Sequence, residues 1–346
     1  MRKLQLLGGI AVSALALFIA VRDVEWSEVL DRIQEANDGL LALAVLILLG
    51  TVVIRALRWR VILRAPVPLR HLYGSLNVMY FLNNLLPLQV GDLGRAYLLS
   101  ELAGLSMTRT LSTQVVERVL DVLVLLAMLL ILALFIDVPS EVRAPSIILA
   151  VVFGSSAAGL LIAATRRERA LAMAGRLLRF APAASRPKLE SMAASAVEGL
   201  SGLSDVRTTA VLLAYAVVLW LGVGLIMYTC LQAFDLPLGY GPALFLVVAT
   251  TFGFFVPSTP GAFGVYHAIV IAVLTSAFDV EKSGAVSFAL IVHLVFYLPP
   301  MFIGPGFLWL ERGLWRQTSF WGKLRQLRGA PSAESAAQSN LSPTEL

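Results

Sequence analysis

Six apolar runs recur along this chain, at about 4–21, 39–63, 114–136, 145–164, 209–233 and 284–310. Each reaches the roughly 20 residues needed to cross the hydrocarbon core of a bilayer. No water-soluble core of ordinary size hides that many such runs, so the chain is expected to fold in lipid as an all-α polytopic membrane protein, each helix satisfying its own backbone groups. The composition agrees: 58% of the residues are hydrophobic and only 14% charged, against about 25% charged in an average soluble domain. Met1-Arg2-Lys3 followed by an apolar run, with Ala14-Leu15-Ala16 inside it, resembles a signal peptide. The many runs behind it favour a retained first crossing instead. The single cysteine, Cys230, excludes an internal disulfide or a cysteine zinc cluster.

The charges set the sides. Residues 22–38 are dominated by Asp23, Glu25, Glu28, Asp31 and Glu35, whereas Arg55, Arg58, Arg60, Arg64 and Arg70 mark the end of the second run and the stretch just after it. Cytoplasmic loops carry the excess of Lys and Arg, which places 22–38 outside and both termini of the chain inside, in an inner (plasma) membrane. The same rule puts 137–143 outside, and the basic stretches at 166–188 and after 310 inside. The net charge of +5 therefore reads as loop asymmetry, and nucleic acid is not an expected partner.

Side parity then constrains two remaining apolar regions. Residues 71–113 must begin and end inside, and 241–283 must begin and end outside. Each is interrupted by a Pro/Gly motif, Pro87-Leu-Gln-Val-Gly91-Asp-Leu-Gly94 and Pro257-Ser-Thr-Pro-Gly261-Ala-Phe-Gly264. A turn of the second region reaching the cytoplasm would lack any Lys or Arg, so both regions are expected to be re-entrant helical hairpins. Irregular backbone at membrane depth is tolerated where it is buried in protein or lines a wet cavity. The motifs share Pro-x3-Gly-x2-Gly at an offset of 170 residues, which also carries run 39–63 onto 209–233. The expected architecture is an inverted-topology 4+4 repeat: residues 1–136, then 137–312, with a cytoplasmic linker at about 165–208 lying on the membrane surface. A basic segment and disordered tail occupy 313–346. Inverted repeats commonly place a substrate site near the midplane.

Charged side chains inside spanning segments are costly and usually mark function. Here they gather at the first break and on the next crossing: Asp92, Arg95, Glu117, Arg118 and Asp121. Arg95 and Arg118 are the expected binders of an anionic head group, since a guanidinium fork matches phosphate oxygens. Asp92, Glu117 and Asp121 would hold them, with Asp121 within helical reach of Glu117 and Arg118. A buried ion-pair network that only fixes helix register is the alternative. Helices restarting near Gly91 and Gly94, and near Gly261 and Gly264, would present free N–H groups to an anion. Asn83 and Asn84 are expected to satisfy carbonyls freed by Pro87 or to touch a head group, and His267 to act as a polar partner. No zinc motif is present, and no metal, cofactor or catalytic residue is assigned.

Asn83-Asn-Leu-Leu-Pro87-Leu-Gln-Val-Gly91-Asp-Leu-Gly94-Arg95-Ala-Tyr, Val116-Glu-Arg-Val-Leu-Asp121 and Pro260-Gly261-Ala-Phe-Gly264-Val together resemble the flippase-like family of the lysylphosphatidylglycerol synthase transmembrane region, over about residues 1–312. Where that family usually has an acidic residue after the last glycine, this chain has Tyr266-His267. The resemblance implies movement between leaflets of an aminoacyl-phospholipid, polyprenyl-linked lipid, glycolipid or hopanoid. It does not imply lipid synthesis: in bifunctional relatives aminoacyl transfer belongs to a soluble C-terminal domain, and the stretch after Arg312 is expected to hold none. The expected function is thus a lipid translocase and not an enzyme. The alternatives are a non-transporting membrane partner of a lipid or glycan synthase, and an intramembrane transferase or phosphatase on a lipid-linked phosphate. The expected partners are the membrane lipid and either a second copy or such a synthase.

Overall fold

A computed structural model describes residues 13–22, 24–86, 89–135, 206–253 and 259–312, plus isolated positions from 155 to 186. Among the described residues the chain is helical, with no strand. The helices are α1 (residues 13–21), α2 (Trp26–Glu35), α3 (Asp38–Leu63), α4 (Leu69–Leu85), α5 (Val90–Ala103), α6 (Met107–Leu132), α7 (Val206–Ala233), α8 (Tyr240–Gly253), α9 (Val265–Phe278) and α10 (Lys282–Leu310). A short 3-10 turn, Pro260–Ala262, precedes α9. The run 145–164, the linker 165–208 apart from isolated positions, and the tail 313–346 lie outside the described residues.

Among the described residues, four units are long and apolar enough to cross a membrane: α3, α7, α10 and the stretch Pro260–Phe278. The protein is a multi-pass helical membrane protein. Three of these units coincide with expected crossings. The fourth is composite, a 3-10 turn and a 14-residue helix, which at 1.5 Å per residue spans only about 21 Å. The run expected at 114–136 is helical but starts earlier, at Met107, because Ser106 caps it by accepting from the Arg109 N–H at 3.2 Å. Glu117, Arg118 and Asp121 lie near the middle of α6, so every 18-residue stretch of that helix includes all three.

At the centre α3 packs along α7, while α4 lies against α5 and α10. In lipid such pairs are held by close van der Waals packing and interhelical hydrogen bonds and not by expulsion of water. Arg58 and Trp59 of α3 are fully buried. Arg55, Arg58 and Arg60 therefore belong to the helix itself, not to a loop after it. On the opposite end α2 is strapped to the start of α10. Arg32 pairs with Glu281 at 2.5 Å, the Ser283 hydroxyl donates to Glu28 at 2.7 Å, and the Lys282 ammonium donates to the Arg22 carbonyl at 2.6 Å.

Candidate functional site

α4 ends at Leu85 and α5 begins at Val90, with Gln89 between them in the left-handed region at φ +52°. What closes this break is backbone contact. The Gly91 N–H donates to Asn83 Oδ1 at 2.7 Å, and a Cβ at Gly91 would stand 2.1 Å from the Met79 carbonyl oxygen. Asn83 thus accepts through Oδ1 from the restarting helix; Pro87 lies outside the described residues. The Asp92 N–H is also taken, by the Gln89 carbonyl at 3.1 Å. Two of the N–H groups expected to be free for an anion are therefore satisfied internally. Gly94 faces Leu82 of α4.

One turn into α5, Arg95 is 2% exposed and lies with its guanidinium 4.4 Å above the Trp59 ring. Its Nη2 donates to Glu117 Oε2 at 2.7 Å. Its Nε and Nη1 have no hydrogen-bond partner among the described residues. Deeper, Arg58 grips Asp121 with both terminal nitrogens, at 2.5 and 3.2 Å, and the Trp220 indole donates to the same carboxylate at 3.1 Å. Arg55 stands 3.8 Å from Asp121, and Arg58 3.9 Å from Glu117. At the rim, Arg118 pairs with Asp92 at 3.1 Å with its side chain 57% exposed. The Gln114 amide donates to the Asp92 backbone carbonyl at 2.9 Å, tying α6 to the break.

Four of the five expected charged residues therefore fall into two pairs, Arg95 with Glu117 and Arg118 with Asp92. The fifth, Asp121, forms no hydrogen bond or ion pair with its helical neighbours Glu117 and Arg118, although the Arg118 charge still acts on it. Its direct partners are Arg58 and Arg55 from α3 and Trp220 from α7. Sequence reasoning assigned these arginines to the inside flank and missed them. The available signal was that Arg55 and Arg58, three apart and so on one helical face, lie within an apolar run.

The second break is shaped differently. Gly261 has φ +69° and Gly264 φ +89°, conformations open to glycine and strained for other residues. A Cβ at Gly264 would meet the Ser13 carbonyl oxygen at 2.3 Å, and Ser13 Oγ accepts from the Thr259 N–H at 3.0 Å, so α1 seals this break. His267 Nδ1 accepts from the Gly264 N–H at 3.4 Å. The His267 and His293 rings stack with centroids 4.8 Å apart and an interplanar angle of 13°. Phe263, Tyr266 and Tyr297 surround them. The two breaks converge on Tyr297: Phe263 stands 5.3 Å from its ring, and the Asn84 amide donates to its carbonyl at 3.4 Å. Asn84 is thus a strut between the breaks.

Fold and site together define a class: a multi-pass helical membrane protein whose helices are interrupted at two places, one of them beside a buried arginine–carboxylate cluster. Residues 6–304 match the model of the lysylphosphatidylglycerol synthase TM region. The chain belongs to that family, which links it to lipid metabolism. No curated protein matches it.

Proposed function

We propose that the protein is a lipid translocase that moves a lipid with an anionic, phosphate-containing head group between the leaflets of the cell inner membrane. The observation that carries this reading is Arg95, a guanidinium buried at a helix break with two nitrogens unpartnered among the described residues. A buried donor left unmade is expensive, and a phosphate oxygen entering the break satisfies it. Arg118 is the first contact: it is exposed, loosely paired and adjacent to the break. Leu85, Leu86, Val90 and Leu93 are exposed along the same break, where acyl chains would lie while the head group passes. The Arg58–Asp121–Trp220 set, with Arg55 and Glu117 beside it at 3.8 and 3.9 Å, serves as the frame. The reading is transport and not hydrolysis or group transfer: both oxygens of Asp121 are engaged and Glu117 Oε2 is held by Arg95, although Glu117 Oε1 has no hydrogen-bond partner among the described residues.

The layout proposed is six crossings and two re-entrant hairpins in a 4+4 inverted repeat. An offset of 170 residues carries α3 onto α7 and α4 onto α8 within about two residues, α5 onto Pro260–Phe278 within five, and α6 onto α10 within eight. Ends assigned by charge to one side lie together: Asn37 with Ala233 and Arg32 with Glu281 outside, Arg109 with Leu63 and His71 with Glu311 inside. Tyr297, where the breaks meet, is near the middle of α10, as hairpins reaching only the midplane require. Both termini are then cytoplasmic.

The test is reconstitution into liposomes with fluorescent lipids of different head groups and leaflet-selective quenching. Anionic phospholipid moves faster than in empty vesicles, and both Arg95→Gln and Arg118→Gln slow it by at least about tenfold, which corresponds to losing one charge-assisted contact. Arg118 is exposed, so its variant folds even where the Arg95 variant does not. Failure of every lipid to move, or native rates in Arg118→Gln, overturns the reading.

A further inference from the structure

The stacked His267–His293 pair at the second break has no part in recognising the head group, yet it is the only imidazole pair among the described residues. We infer that this pair is a proton-binding site, and that proton uptake there drives the lipid movement proposed above. The inference rests on that reading of the protein as a translocase.

His267 accepts from the Gly264 N–H through Nδ1, so in this state Nδ1 carries a lone pair and the ring is the neutral tautomer with its hydrogen on Nε2. His293 stacks on it at 4.8 Å. Two imidazolium ions at that distance repel, so the pair takes one proton, not two. Among the described residues no charged side chain fixes its protonation. The titratable groups facing the pair are Tyr266 beside His267, Tyr297 beside His293 and, behind Tyr266, Cys230. Among the described residues no carboxylate or guanidinium acts on either ring. The neighbours are instead aromatic rings: Phe263 stands 4.4 Å and Tyr266 5.1 Å from His293, centroid to centroid. Those rings favour a cation at His293 through their quadrupoles.

The geometry also gives the proton a conformational consequence. A proton on His267 Nδ1 converts the acceptor of the Gly264 N–H into a donor, removes the cap of α9, and places a cation at a helix N-terminus, where it is disfavoured. A proton on His293 withdraws the neutral partner from a face-to-face stack. In either case the closed break that packs on Ser13 and Tyr297 is destabilised relative to an open one, and a proton bound more tightly by the open state shifts the population toward it. The proton comes from water on one side and returns to water on the other; only N–H bonds form and break. Because Asn84 joins the first break to Tyr297, opening here reaches the head-group site.

Two measurements decide it. The chain has three histidines, so ring signals of His71, His267 and His293 are separable in isotope-labelled protein in lipid nanodiscs. One proton taken up jointly by His267 and His293 as pH is lowered supports the site, whereas two rings that stay neutral over the whole range in which the protein remains folded overturn it. In liposomes, at one proton per lipid, each unit of transmembrane pH difference shifts the steady leaflet ratio of the fluorescent anionic phospholipid by up to about tenfold. His293→Gln, or His267→Gln where the first does not fold, abolishes this dependence while lipid still redistributes across the bilayer. A native ratio indifferent to the gradient overturns the coupling even though the translocase reading stands. If no lipid moves at all, that reading and the coupling fall, and the nanodisc titration still decides for or against the proton site.

Discussion

Asp121 accepts from both terminal nitrogens of Arg58 and from the Trp220 indole, so three helices meet on one carboxylate. Removing its charge leaves the fully buried Arg58 guanidinium with only the more distant Glu117 carboxylate at 3.9 Å, and losing the close partner of a buried charge typically costs about 3–5 kcal/mol. Asp121→Asn should lower the melting temperature in detergent sharply, and a melt within a degree or two of native would show that the frame tolerates the loss of Arg58's close partner. Arg118→Gln should cost no more than about 1 kcal/mol, because exposed pairs contribute little. That contrast separates the structural from the recognition role of the arginines by stability alone. Gly91→Ala should destabilise by about 1–3 kcal/mol, as forced insertions into packed interiors do, because the new methyl would overlap the Met79 carbonyl and Asn83. A fluorescence-detected melt checks it. Which residues are charged and embedded was legible in the sequence; which carboxylate holds which arginine was not. Pairing within a helix follows from spacing, but Arg58 reaches Asp121 from 63 residues away.

At the scale of elements, the long apolar helices were readable because length and hydropathy alone select them, but their caps were not anticipated: the side chains of Asn37 and Ser106 accept from the N–H groups of Leu40 and Arg109. α2 was not anticipated as a helix. Its acidic sequence marked a side of the membrane, while its fold depends on Val29 burying against α10 and on polar contacts with residues 281–283. Burial pushes the Glu281 carboxyl up, but hydrogen bonds from Ser283 and the Arg32 guanidinium outweigh that and hold it below the usual range. A carboxyl depressed in the folded state stabilises above its unfolded value and loses that contribution as pH falls through the folded one. α2 should therefore loosen from α10 below about pH 4 and not near neutrality. A spin label on Leu30→Cys, in a Cys230→Ser background, should gain mobility in that window; mobility that changes only near pH 6–7, the histidine range, would refute the assignment to Glu281.

For the whole molecule, the proposed inverted repeat makes a directional prediction. In that layout the turn joining α5 to α6 is inside and the turn joining α9 to α10 is outside, although both follow a broken helix. Ser106→Cys should react with an impermeant thiol reagent only in inside-out vesicles, and Asp279→Cys only in right-side-out cells. Labelling of both from one side would sink the 4+4 scheme while leaving the charged cluster untouched.

The sequence by itself determined the solvent of this protein, the helical class, most of the long helices and the two places where helices break. Those follow from local quantities: apolar run length, proline and glycine positions, and the sign of flanking charge. Only the tertiary structure decided that Arg58 anchors Asp121, that Asn83 and His267 cap the restarting helices, that His267 stacks on His293, and that both breaks meet at Tyr297. Each of these joins partners on different helices or turns on how a particular side chain points, and neither the hydrophobic pattern nor residue spacing within one helix specifies which faces of packed helices come into register.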